Sequence, residues 1–262
     1  MKAWLALVKK EFRVGMPIFL LTMILFIIGT AAMAALGYKV NHIGQPIGIF
    51  GLVWGAGLSF FLAIYMLFSL SIERKRMHLW LHNPMHASGL LLAKLLTGTV
   101  YLLVSLLAAS FAAYFGGLEF IGFTISEASW LKIGIILFIH VVLFSLDFVV
   151  YVILAYVLFL LMERYMHAFL SGIIVFFGFW IFNGLYFGLF QMSKFYETIS
   201  YWGKIDLESV ASGLNFEASI TEMAIYFQQD VPIYAGMYVL ETVVVILLFF
   251  IASWLLDKKV EV

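Results

Sequence analysis

Residues 69–97 read SLSIERKRMHLWLHNPMHASGLLLAKLLT, a charged interruption between two long apolar segments. Glu73, Arg74, Lys75 and Arg76 follow the first apolar run directly, Trp80 and Pro84 come next, and Lys94 lies just inside the second run. Ile72, Met77, Leu79, Trp80 and Leu81 are interleaved with the charges, so the interruption is amphipathic as well as basic. In a membrane protein a basic loop of this kind faces the cytoplasm.

The composition on either side decides the class. Of 262 residues, 65% are hydrophobic and 11% charged, against roughly a quarter charged for a soluble domain. Mean hydropathy is +1.08. Six apolar segments, at 17–37, 47–71, 88–115, 131–161, 167–192 and 233–256, each reach the ~20 residues a spanning helix needs. The expected fold is all-α: one polytopic domain over 1–262 with six transmembrane helices. The fourth segment exceeds one crossing, so it is expected to tilt, kink or extend beyond the bilayer.

Residues 1–15 put Trp4, Leu5, Val8 and Phe12 on one helical face and Lys2, Lys9, Lys10 and Arg13 around the other sides. This predicts an interfacial helix with its aromatic side in the acyl boundary and its lysines toward anionic lipid. The apolar run from Pro17 is longer than a signal-peptide core, so the first helix is expected to remain uncleaved.

Charge sets the orientation. With the N-terminus inside, Lys2, Lys9, Lys10, Arg13, Arg74, Lys75, Arg76, Lys94, Arg164, Lys258 and Lys259 are cytoplasmic, eleven of the fifteen basic residues. Only Lys39, Lys132, Lys194 and Lys204 fall outside. The bias places both termini in the cytoplasm. The sizeable outer segment, 193–231, is net acidic. Phe195, Ile199 and Trp202 share one face there. Ser219 with Glu222 forms a capping box ahead of further helical spacing. Short extracellular helices are expected between spans five and six.

Little in the chain suggests chemistry. With no cysteine, disulfides, thiolate metal sites and thiol catalysis are excluded. His78, His82 and His86 are spaced four apart, but Pro84 disfavours one continuous helix through them, and no metal site is expected. There is no nucleophile elbow, phosphate loop or zinc-protease helix, so the chain is not expected to be an enzyme or to hydrolyse ATP by itself. Zero net charge offers no reason to expect a nucleic-acid partner. Asp147 and Glu241 stand out as ionisable residues within spans four and six, either lining a polar path or bonding helices together. Gly51-x-x-x-Gly55, Gly184-x-x-x-Gly188 and Ser105-x-x-x-Ala109-x-x-x-Ala113 would allow close helix approach, including dimerisation.

The stretch from Glu73 to Lys94 resembles the membrane subunit of an export-type ATP-binding cassette (ABC) transporter of the second large export family. The matching features are Glu73-Arg74 leaving the second span, amphipathic Leu79-Trp80-Leu81, Pro84, and Lys94 opening the third. Val8-Lys9-Lys10-Glu11-Phe12, six spans and the outer helical segment extend the likeness in layout. Met77-His78 replace a frequent Gly-Thr, and 80–84 look like a Gram-positive sub-branch. The resemblance implies a permease in a bacterial cell membrane, paired with an identical or related permease and with a separate cytoplasmic ATPase that binds ATP and magnesium. It makes Glu73, Arg74, Arg76, Trp80, Pro84 and Lys94 the ATPase-coupling element. It also places Trp4, Lys9, Lys10, Phe12 and Arg13 of the N-terminal helix against the ATPase. Its implied work is export of a hydrophobic or amphipathic compound (lipid, peptide or antibiotic) or envelope-stress signalling. The alternative is an ion- or proton-coupled secondary transporter, which would be expected to show inverted repeats.

Overall fold

In hydrocarbon no water is available to satisfy backbone N–H and C=O groups, so a chain this apolar closes its hydrogen bonds inside helices. The computed structural model describes residues 2–39, 41–74, 85–121, 127–205 and 233–260, and it is an all-α membrane protein. The helices are α1 (Lys2–Lys39), α2 (Gly44–Gly57), α3 (Phe61–Arg74), α4 (Ala87–Ile121), α5 (Glu127–Glu163), α6 (Ala168–Leu185), α7 (Lys194–Ser200) and α8 (Ala235–Leu255). Six stretches are long and apolar enough to cross a membrane, in the order the sequence predicts. The second comprises α2 and α3 joined by a 3-10 turn, Leu58–Phe60. The fifth continues from α6 into a π-helical turn, Tyr186–Gln191.

The N-terminal expectation is corrected. Residues 2–15 do not form a helix separate from the first span; both belong to the 38-residue α1, which passes through Pro17 without a break. Its aromatic face also turns toward protein rather than lipid. Trp4 Nε1 donates to the carbonyl of Gly89 at 3.1 Å, Val8 is buried, and Phe12 meets the edge of Tyr101. Leu5, Lys9 and Arg13 remain exposed. An indole N–H that finds a carbonyl on a neighbouring helix gains a partner that acyl chains cannot supply.

α4 is the central helix. Over half of its apolar window is buried, 56%, whereas none of the fifth span's window is. Leu62, Tyr65 and Met66 of α3, Leu91 and Leu102 of α4, and Val149 and Ile153 of α5 form the closed core. On the α2 side two of the small-residue motifs pack against each other. A Cβ added to Gly51 would lie 2.5 Å from the backbone nitrogen of Ala113 and 2.9 Å from the carbonyl oxygen of Ala109. Backbone touches backbone there, so only glycine fits. Gly184 and Gly188 behave differently: a Cβ at either meets nothing within 4 Å.

The segment between the fifth and sixth spans is described at its base only. α7 realises the short helix expected around Phe195 and Ile199, started by Ser193, whose Oγ accepts from the Tyr196 backbone N–H at 3.2 Å. A two-residue antiparallel ladder, Lys204–Ile205 with Ile233–Tyr234, then brings both ends of the segment together. The expected helix beginning near Ser219 lies outside the described residues, as do Arg76, Trp80, Pro84, His78 and His82.

Candidate functional site at the Lys94 end of the bundle

Lys94 lies two turns into α4 and is 1% exposed. A buried ammonium requires three acceptors and a compensating charge. Its Nζ reaches Ser69 Oγ at 2.7 Å, Glu11 Oε2 at 2.8 Å and Glu73 Oε1 at 3.1 Å. Ser69 also donates to Glu11 Oε2, at 3.3 Å. Lys10, half in solvent, meets the same Glu73 oxygen at 3.1 Å. Two lysines and two glutamates thus balance, and the network joins α1, α3 and α4. Its geometry is that of a joint: apart from the longer Lys10–Glu11 contact within α1, 3.7 Å, each charge is paired with a group on a different helix.

Further contacts fix the ends of the segment 75–84 from outside it. Arg74, the last residue of α3, pairs with Glu163 at the end of α5 and places its guanidinium 5.4 Å from the Phe159 ring centre. On the other side, the backbone N–H of Ala87 donates to Asp257 Oδ1 at 2.8 Å. That carboxylate caps the first turn of α4, where free N–H groups and the helix dipole favour an anion. Trp4 then holds Gly89. The Tyr65 hydroxyl, Glu11 Oε1 and Glu73 Oε2 are buried and have no hydrogen-bond partner among the described residues.

Of the residues singled out in the sequence, Glu73, Arg74, Lys94, Lys10, Trp4 and Phe12 therefore gather at one end of the bundle. Lys9 and Arg13 lie on α1 nearby but point outward. Glu11, Ser69, Glu163 and Asp257 were missed as site residues. Glu11 had a signal: it continues the stripe of Trp4, Val8 and Gly15, an acid on the face that is otherwise apolar. Such a residue needs a buried cation. Glu163 and Asp257 had none, because each meets a partner distant in sequence.

The two intramembrane acids lie toward the other end. Glu241 Oε1 accepts from Gln191 Nε2 at 2.9 Å and from the Tyr186 hydroxyl at 3.1 Å. Residues five apart on an α-helix diverge by ~140°; the wider π-helical turn brings Tyr186 and Gln191 to one acceptor. Asp147 lies within electrostatic reach of Glu241 and makes no hydrogen bond or ion pair among the described residues. Beyond the span, Tyr196 is buried in α7, and burial, followed by the charge of Glu241, pushes its phenol above the usual range.

Compared with known proteins, the chain matches no family model, and no curated protein or solved structure is similar to it.

Proposed function

We propose that this chain is the membrane-spanning subunit of an ABC transporter, and that a separate cytoplasmic ATPase acts on it through segment 75–84. The observation that carries the reading is the clamping of both ends of that segment. Glu73 and Arg74 on one side, and Ala87 and Gly89 on the other, are tied to α1, α4, α5 and the π-helical turn Leu256–Val260 that continues α8. A push on a segment so held passes to five helices together instead of being absorbed by a loose loop. The amphipathic composition of the segment, with Trp80 as anchor and Arg74 and Arg76 for orientation, suits docking on a protein groove. In this reading the Lys94 end is cytoplasmic, in keeping with the basic bias of that side. In this reading the nucleotide and magnesium belong to the partner.

The permease pairs with a second permease, identical or related, and α6 is the helix available for that contact. No residue in the apolar window of its span is buried, and a Cβ added at Gly184 or Gly188 would meet nothing within 4 Å. The cargo is a hydrophobic or amphipathic compound, or the complex signals envelope stress; the membrane is that of a bacterial cell.

The test is a gentle-detergent pull-down of the full chain from its native membrane, with mass spectrometry of what remains bound. A stoichiometric ATP-binding subunit is expected, depleted by Trp80→Ala and by Arg74→Glu while membrane insertion is unchanged. Equal recovery of that subunit with both variants overturns the coupling role. One observation favours the secondary transporter instead: Asp147 lies inside a span with no hydrogen bond or ion pair among the described residues. Activity that follows an ion gradient, persists without an ATPase and is lost in Asp147→Asn would select it.

A further inference from the structure

A small cavity lies at the Lys94 end, between α3, α4, α5 and the π-helical turn Leu256–Val260. Its volume is about 20 Å³, and one water molecule needs ~10–15 Å³ of such space. Leu91, Val157 and Leu256 supply apolar walls, and Glu73, Arg74 and Tyr156 supply polar ones. We infer that this cavity holds one water molecule, which bonds to Glu73 Oε2, the Arg74 guanidinium and the Tyr156 hydroxyl and so joins the Lys94 network to the Arg74–Glu163 pair.

The hydrogen-bonding needs of the wall carry the assignment. Oε1 of Glu73 is taken by Lys94 and Lys10, while Oε2 is buried and has no hydrogen-bond partner among the described residues. Leaving a buried carboxylate oxygen in that state costs more than ordering one water beside it. The Tyr156 hydroxyl reaches the Leu70 carbonyl at 3.4 Å, beyond the range of about 2.5–3.0 Å usual for an O–H donor, and its own lone pairs suit a further donor. The Arg74 fork carries five N–H groups, more than its bond to Glu163 uses. The water donates to Glu73 Oε2 and to the Tyr156 oxygen, and accepts from Arg74. Polar partners on three sides distinguish this cavity from an apolar void, which stays dry. The water makes one continuous chain of polar contacts from Glu11 through Lys94, Glu73 and Arg74 to Glu163, across α1, α3, α4 and α5. The assignment rests on side-chain geometry and does not depend on the ABC reading.

X-ray radiolytic labelling of the full chain in nanodiscs, read by mass spectrometry, tests the site, because a bound water yields hydroxyl radical beside side chains that bulk solvent does not reach. Leu91 and Leu102 are the same residue type on the same helix and are both 0% exposed, but of the two only Leu91 lines the cavity. Leu91 is expected to be oxidised about threefold more than Leu102 if a water sits against it. Val157→Ile adds one methylene to the wall, displaces the water and is expected to bring Leu91 down to the level of Leu102, with Leu102 itself unchanged. Equal labelling of the two leucines in the wild type, or Leu91 labelling that Val157→Ile leaves unaltered, overturns the site. A density map of the wild type that resolves other buried waters tests the bridge, whether or not that variant folds. One peak within hydrogen-bond reach of both Glu73 Oε2 and the Arg74 guanidinium is expected. A peak touching only one of them, or a direct contact that closes the cavity, overturns the bridge.

Discussion

Lys94 and Glu241 are both ionisable side chains drawn into the bundle, yet they are accommodated in opposite ways. Lys94 is satisfied by oxygens from α1 and α3, two of them on carboxylates, so its partners carry the balancing charge. Glu241 receives neutral donors, a phenol and an amide, from one π-helical turn. The difference teaches what each site does. At Lys94 three helices share a charge balance, and none can leave without stranding a buried ion. At Glu241 only neutral donors face the acid, so a substitution that removes its charge strands no counter-charge there.

Lys94→Met is the sharpest way to break that comparison. It removes the buried ammonium from Glu11, leaving it only the half-exposed Lys10 at 3.7 Å, and a loss of about 3–5 kcal/mol is expected, read as a lowered midpoint in detergent unfolding. Adding Glu11→Gln should recover much of it, because the stranded charge is then gone. No recovery would mean that packing of the lysine stem, not charge balance, holds the joint.

The α2–α4 contact supplies a backbone control of the next size. Gly51→Leu must force Ala113 away, and overpacking of this kind costs about 1–3 kcal/mol. Gly184→Leu, the same change at the exposed motif, should leave unfolding unaltered, and its effect should appear in self-association measured by cross-linking.

Glu241→Gln keeps an acceptor oxygen and removes only the charge, so about 1 kcal/mol or less is expected, with the unfolding midpoint nearly that of wild type. A loss as large as that of Lys94→Met would show that the two ends are not different in kind. Smallest of all is Arg74→Gln. Arg74 is 42% exposed, and such pairs contribute about 0–1 kcal/mol. Its expected effect is on recovery of the ATPase in the pull-down, with stability almost unmoved.

Six apolar stretches and their order were legible in the sequence, because hydropathy over about twenty residues is a local signal; that Lys94 is buried among carboxylates was not. The π-helical turn that brings Tyr186 and Gln191 to Glu241 has no such signature. The N-terminal reading went astray for a related reason. An apolar helical face looks the same whether it meets acyl chains or another helix, and residues 1–15 alone could not distinguish them. Glu11 was the clue, an acid on that face whose buried cation lay 83 residues away.

The sequence by itself determined that the chain spans a membrane, where it crosses, and which short segment is basic and amphipathic. These follow from the cost of moving each residue between water and hydrocarbon, a property of the residue and its neighbours. Only the tertiary structure decided that Glu11, Ser69 and Glu73 share Lys94, that Asp257 caps α4, that the Gly51 motif is consumed in packing while the Gly184 motif is left outward, and that a cavity opens beside Glu73. Each of these depends on which helices become neighbours, and that is set by shape and by partners far apart in the chain.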